Sequence, residues 1–558
     1  MKKRALACLM AGVLILGSVG CGGSAPQGNE AEQTTEETGQ EENARNETEL
    51  TEDSASEPKE VDWRTPYEET VTLTVAMESV AFEFADGDDL TNNIWTRDYR
   101  EKLNVEVVTD WISDEYDTKL NLAIASGDLP DVFTVDNVQL TQLMEAGLIA
   151  DLTDVYETFA SERLKEIEGG EPEVLATARK DGRLYAIPSL YAGYQPNLLW
   201  LRQDWMKELG KEFPKTVDEL EDILTGMKGL SQGGYSFSTP QDLSSLYGLA
   251  PAWGAYPEIW VKGEDGNIVY GAVAPEMKEA VSAWAGWYQE GILKKDFATM
   301  NSDAVKEEVV AGNAGAETYG SWWGWSEGID MVKNLGEEAY FVPCELPTVS
   351  GEKALYPMKF LNERYIVVNR DCANPEAVIK LIDWYVYISN DALEDMDQKE
   401  IELHTANNMA HVTKPFTVNN PKDDYSRYAM IAQARDTGDR SAMKTAIAVE
   451  CYDGAMRWME DKDPDGVGYA LQFGMKGCGM DVLTGVIDDD RVARSELQGA
   501  SPQTLLDYGS TLDDILLEGF TKIIMGTEDI DYFDTLIQQW YAAGGQDATD
   551  AVNEMYNS

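Results

Sequence analysis

Histidine is nearly absent from this 558-residue chain, which has only His404 and His411. They form no His-Glu-x-x-His pair, so the common metallohydrolase signature is missing. Positive charge is also scarce: Lys and Arg number 44 against 101 Asp and Glu, a formal net charge of −57. Nucleic acid, a polyanion held mainly by Lys and Arg, is therefore excluded as a partner. A uronate polymer is disfavoured for the same reason unless a local basic patch overrides the field, so neutral or cationic ligands are favoured. Past the N-terminus, no stretch approaches the roughly eighteen uninterrupted apolar residues of a membrane span. Six cysteines are present, two of them (Cys8 and Cys21) in the N-terminal segment. The other four, Cys344, Cys372, Cys451 and Cys478, lack metal-type spacing; in an exported chain they could pair, with connectivity open. No metal site and no cofactor is read from the residues.

What is present begins at the N-terminus. Lys2, Lys3 and Arg4 precede an uncharged apolar run from Ala5 to Gly17, then Ser18-Val19-Gly20-Cys21. A basic start, a short apolar core and small residues before a cut site make residues 1–20 a secretory signal. The terminal cysteine resembles the lipobox of bacterial lipoproteins, in which the thiol takes a diacylglycerol, although Ser18 stands where that motif usually has Leu. Cys21 is thus the expected lipidation site; an ordinary cleaved signal with a chance cysteine is the alternative. Gly22 to Asp62 has no aromatic residue and thirteen acidic residues against Arg45 and Lys59. Such a segment cannot bury enough apolar surface to order itself. As a flexible chain it would reach ~35 Å, so residues 21–62 are expected to tether a folded body to the outer face of a bacterial membrane.

From Trp63 onward the 496 residues are too many for one core, and two or three domains are expected. Val71–Met77, Asn104–Asp110 and Asp131–Val135 read as strands, separated by helical patterns over Asn92–Leu103 and Tyr116–Ser126. Strands alternating with helices imply βαβ units and a largely parallel sheet. Thr216-Val-Asp-Glu219 is a capping box opening a helix, and Pro275 opens another that stops at Gly291. Leu361–Arg370 reads as a strand with a helix behind it from Pro375, and a last helix spans Asp531–Ala543, stopped by Gly544-Gly545.

Several segments then fall into a familiar order. They are Ala125–Phe133 (ASGDLPDVF), Asp181–Pro188 (DGRLYAIP), Leu201–Gly210 with Pro214–Leu220, Tyr288–Ile292, Gly320–Trp325 (GSWWGW) and Lys522–Gly526. The series resembles family 1 extracellular solute-binding proteins, in their long form, the lipoprotein receptors of carbohydrate ABC importers. The resemblance implies an α/β, two-lobed periplasmic-binding-protein-like fold of type II whose hinge the chain crosses three times. Crossings are expected near Tyr191, Phe360 and Phe416, giving lobe one as 63–190 plus 361–415 and lobe two as 191–360 plus 416–558. It also implies a carbohydrate ligand, ABC permease partners and a monomeric, membrane-tethered receptor. Ligands of open α/β sheets sit beyond the carboxyl ends of the strands, here in the inter-lobe cleft. Lobe closure would then signal occupancy.

A sugar offers apolar faces for stacking and a rim of hydroxyls for charge-assisted hydrogen bonds. Fifteen tryptophans suit that task, although most are expected in the core. Trp322 and Trp323 are the candidate platforms, the resemblance pointing to Trp322, with Trp253 a second platform. Glu78, Asp110, Trp111, Asp136 and Asn137 follow lobe-one strands, where the family places hydroxyl-binding residues; a helix cap or solvated loop is the alternative for each carboxylate. Tyr191, Tyr194 and Gln195 fall at the first crossing, and Arg364 is a ligand donor or an ion-paired hinge residue. Long family members often carry a calcium loop after the helix equivalent to Val217–Lys228; Gly229–Phe237 has no carboxylate, so that site is not carried over. Asp461-Lys-Asp463-Pro-Asp465-Gly466 mimics the start of an EF-hand loop, but its twelfth position is Gln472. The function expected is capture of an oligosaccharide or other carbohydrate and delivery to a permease, without catalysis. The alternatives are a secreted glycoside hydrolase or lyase, and a sugar sensor without transport.

Overall fold

The computed structural model describes residues 62–79, 84, 87–190, 193–263, 265–360, 362–390, 415–499 and 501–556. The signal segment, the tether as far as Val61, Cys21, Tyr191, His404 and His411 lie outside the described residues.

Eight strands build the two main sheets: β1 Val71–Glu78, β2 Val105–Ser113, β3 Val132–Val135, β4 Ala186–Leu190, β5 Leu198–Arg202, β6 Ala316–Tyr319, β7 Phe341–Cys344 and β8 Asn362–Val368. The helices used below are α1 Ile94–Leu103, α2 Tyr116–Ser126, α3 Asn137–Ala146, α4 Val217–Leu230, α5 Ser244–Leu249, α6 Pro275–Glu290, α7 Pro375–Asn390, α8 Asp423–Thr437 and α9 Gln503–Ile524.

The first sheet has the order β2-β1-β3-β8-β4. β1 is parallel to β2 and β3, whereas β8 is antiparallel to both of its neighbours. The reversal follows from the chain path: β8 enters at the end where β4 leaves, with Asn362 opposite Leu190. Local signals set the helices. Asn93 caps α1 in a reciprocal box with Thr96, and α2 stops at Gly127 in the left-handed region. The expected Thr216–Glu219 box opens α4, Thr216 Oγ1 accepting from the Glu219 amide at 3.2 Å and Glu219 Oε2 accepting from the Thr216 amide at 3.2 Å. Two boundaries differ from the sequence reading by more than two residues. β2 runs on to Ser113, and the chain remains helical after Gly544, resuming as Gln546–Tyr556. Gly544 (φ 124°) is a kink where a stop was expected.

The second sheet has the order β6-β5-β7, with central β5 antiparallel to both neighbours. All five residues of β5, Leu-Leu-Trp-Leu-Arg, are buried, which explains its unbroken apolar run. Two large, separate apolar cores result, beside a small cluster of Ala434, Met443 and Ala448. One joins Leu73, Val75, Phe133, Ile187, Ile366 and Ile379; the other joins Trp200, Leu224, Phe237, Trp284, Phe341 and Phe520. Phe416 and Val418 pack in the first core, although the sequence reading put 416 onward in the second lobe.

The register fixes which ends of the sheets oppose each other. β1, β3 and β4 point the same way, and β4 ends at the crossing that leads through 193–197 into β5. In the second sheet the last residues of β6 and β7, Tyr319 and Cys344, sit opposite Leu198 and Leu199 at the start of β5. The carboxyl ends of strands from both sheets therefore gather at the crossing, where an α/β sheet presents its ligand site.

Candidate functional site

At that junction lies a cavity of about 380 Å³. Its floor is the two crossing segments, Tyr194–Asn197 and Pro357–Phe360, and its side is formed by Tyr247 and Gly248 of α5 with Glu258. The volume is at the lower end of small-molecule sites. Tyr194 is buried beneath it: its hydroxyl donates to the Tyr356 carbonyl at 3.0 Å, and its own carbonyl accepts from Tyr425 Oη at 2.5 Å. Burial pushes the Tyr194 phenol far up, so it is neutral at any working pH. Lys359 Nζ is paired to Glu258 Oε1 at 2.8 Å on the cavity wall.

Gln195 joins this cavity to the tryptophan segment. Its Nε2 donates to Asp424 Oδ2 of α8, and its Oε1 accepts from Ser321 Oγ at 2.6 Å. Both ends of the amide are thus occupied within the protein, which makes Gln195 a bracket. Asp424 in turn shares Arg427 with Asp423. Trp322, next in chain to Ser321, is 41% exposed and meets Tyr319 edge-on at 6.0 Å. Its ring lies across Gly320, where a Cβ would come within 2.3 Å of it. Only glycine allows that approach.

Trp323 is a correction. Expected to line the cleft, it is fully buried, stacked on Phe341 at 4.7 Å and Trp200 at 5.3 Å, with Nε1 donating to Glu317 Oε1 at 2.5 Å. Adjacent residues leaving a strand end point in different directions, and the apolar run of β5 claims this one. Burial raises the Glu317 carboxyl well above its ordinary range, and the neighbouring Glu327 adds to the effect. Trp253 is the second correction. Half-buried, it packs edge-on against Trp284 (6.1 Å) and Trp287 (5.9 Å) on α6, so it belongs to a core cluster.

On the first lobe, Glu78 ends β1 and shares a shallow depression with Thr134, Ser189 and Arg364. Arg364 is ion-paired to Asp117, its guanidinium 5.3 Å from the Tyr116 ring centre. Asp136 is a helix cap, its Oδ1 accepting from the Gln139 amide at 2.7 Å, and Asn137 begins α3 behind it. Asp110 and Trp111 do not follow β2 but lie inside it. Asp110 is the extra residue of a bulge, since Val75 pairs with Thr109 and Ala76 with Trp111. Trp111 leans on Tyr116 at 5.2 Å under Lys119, along the sheet's edge strand. The structure thus brings Tyr194 and Gln195 together at the crossing, ties the residue before Trp322 to Gln195, and sets Glu78 with Arg364 in a separate depression at the end of the first sheet.

Sequence reasoning missed Asn197, Tyr247, Glu258 and Lys359. The expected crossing near Phe360 pointed to Lys359; Glu258 and Tyr247 carry no periodic signal. Cys344, Cys372, Cys451 and Cys478 are free thiols. Among the described residues no group of three or more His, Cys, Asp or Glu is placed to hold a metal ion. In the EF-hand-like segment Asp465 pairs with Lys333 at 2.6 Å, and Asp463 caps its own turn by accepting from the Asp465 amide. No described helix is long and apolar enough to cross a membrane.

Comparison with known proteins adds to this geometry. The family model for bacterial extracellular solute-binding proteins matches residues 95–448. Lipoprotein LipO of Bacillus subtilis is 19% identical over 81% of this chain and 86% of its own length. The fructooligosaccharide ABC transporter substrate-binding protein FusA of Streptococcus pneumoniae is 29% identical over 51% of this chain and 58% of its own. Among solved structures, an HMO-binding, ABC-transporter-associated solute-binding protein from Bifidobacterium longum infantis superposes with a TM-score of 0.58 at 15% identity, covering 88% of this chain and 99% of its own. That likeness speaks to the fold.

Proposed function

The chain belongs to the bacterial extracellular solute-binding protein family, and on that premise we propose that it captures a neutral oligosaccharide between its lobes and hands it intact to an ABC permease. The observation that carries the reading is the cavity at the gathered strand ends, whose lining residue Gln195 accepts from Ser321, the residue before the exposed Trp322. A ring face beside amide, hydroxyl and carboxylate groups matches a pyranose or furanose with its apolar face and hydroxyl rim. The ligand in FusA's name, fructooligosaccharide, supports the same chemistry. The mature protein acts as a monomer on the extracellular face of the cell membrane, held there by lipid on Cys21. It performs no bond cleavage.

The test is calorimetric titration of the purified protein with a panel of neutral oligosaccharides, followed by chromatography of the recovered sugar. Saturable binding with unchanged sugar is expected. Turnover abolished by a carboxylate substitution would replace the receptor with a glycan-degrading enzyme. Normal sugar uptake in a deletion strain would make the protein a sensor.

A further inference from the structure

The second crossing separates two cavities. Beyond the Lys359–Glu258 ion pair lies another space, of about 360 Å³, sharing Glu258, Lys359 and Phe360 with the first. Its apolar wall includes Tyr270, Leu505 and Leu512. The Tyr270 ring is fixed from two sides, nearly parallel to Trp540 at 6.1 Å and tilted against Trp260 at 5.4 Å. A ring held this way needs no further ordering to serve as a stacking surface. Polar groups edge the space: Ser495, Ser501 and Asp513, the last accepting from Tyr270 Oη at 3.4 Å. Two carboxylates, Glu258 and Asp513, face one ammonium, Lys359, so the cavity is net negative and disfavours an anionic unit. Acceptors around a fixed aromatic ring suit a hydroxyl-rich ring with one apolar face.

We infer that this second cavity is a distal subsite, holding the far residues of a neutral oligosaccharide whose near end occupies the first cavity. The inference rests on the carbohydrate reading above and sets the length of the ligand: it must pass over the Lys359–Glu258 pair. Neither cavity alone has room to spare, and the shared wall makes them consecutive stations on one path.

Gly509 provides the test. It lines the second cavity from α9, outside the first, and a Cβ added there meets nothing within 4 Å. Gly509→Phe should therefore fill the space without straining the helix. Titration of the wild-type protein with fructo- and gluco-oligosaccharides of two to seven units should show affinity rising at least tenfold with length. Gly509→Phe should abolish that gain while the shortest binder keeps its affinity; a thermal melt checks folding, with Gly509→Leu as the milder filler. Short sugars that bind without any gain from length, or a gain that survives the filled cavity, would overturn the subsite and leave the carbohydrate reading intact. Failure of every sugar to bind would remove both.

Discussion

Ser321 Oγ donates to the side-chain carbonyl of Gln195 at 2.6 Å, tying the residue before Trp322 to the first crossing of the hinge. The other end of the same amide holds Asp424 on α8. One side chain thus couples the residue before Trp322, the first crossing segment and α8. Gln195→Ala should leave Trp322 less well placed, weakening ligand binding by about 1 kcal/mol, the usual net worth of a hydrogen bond, or roughly fivefold. Calorimetry would read the loss. Unchanged affinity with a lowered melting temperature would make Gln195 a packing residue of the hinge.

Trp322 and Trp323 are neighbours in sequence with opposite surroundings, so their alanine variants should separate cleanly. Trp322→Ala removes an exposed ring and should cost ~1–3 kcal/mol of binding with little change in melting temperature. Trp323→Ala empties a site stacked between Trp200 and Phe341 and strips Glu317 of its donor, so it should cost ~3–5 kcal/mol of stability. Gly320→Ala should imitate Trp322→Ala in binding, because its methyl displaces the indole. Chemical denaturation alongside titration checks all three.

This pair also shows how far the sequence could be read. The Gly-Ser-Trp-Trp-Gly-Trp segment was recognisable as dense and unusual, and the strands, caps and stop signals around it were set by short-range chemistry such as the Thr216–Glu219 box. Which indole faces outward was not legible, because that depends on β5 and β7 arriving from distant parts of the chain to stack on Trp323. Asp110 misled for a related reason: a bulge against Val75–Ala76 prolongs β2 by three residues beyond the expected end, and a bulge leaves no local signature. Arg364 had two readings, and the structure pairs it with Asp117.

Asp383 in α7 sets a pH dependence. It is almost fully buried, accepting from the Ser161 amide at 2.9 Å and from Ser161 Oγ, and desolvation pushes its carboxyl up to about 7 against the opposing effect of these two bonds and, less, of Lys165. The native state therefore holds a proton that the unfolded chain, titrating near 4, has released. Stability from this group is complete below pH ~4 and is lost as pH rises through about 7, at up to about 1.4 kcal/mol per unit. Buried Glu168, whose oxygens find no hydrogen-bond partner, shifts the same way. Melting temperature should fall between pH 5 and 8, and Asp383→Asn should flatten part of that slope. A wild-type melting temperature that rises over this range would contradict the assignment.

Charge at the junction should separate neutral from anionic sugars. Three cations near it are already neutralised: Lys359 by Glu258, Arg364 by Asp117, and Arg427 by Asp423 and Asp424. Arg494, by the second crossing, faces Glu171, whose carboxyl is raised by burial with Arg494 partly opposing the shift. A uronate unit entering here would have to break one of these pairs or sit uncompensated in the field of a chain carrying −57. Oligogalacturonides should therefore bind at least tenfold more weakly than neutral oligosaccharides of equal length, with the gap narrowing as salt screens the field. Glu258→Gln removes one carboxylate and frees Lys359, so it should raise uronate affinity while costing neutral ligands less. Equal binding of both sugar classes at low salt would show that the acidic surroundings do not reach the ligand.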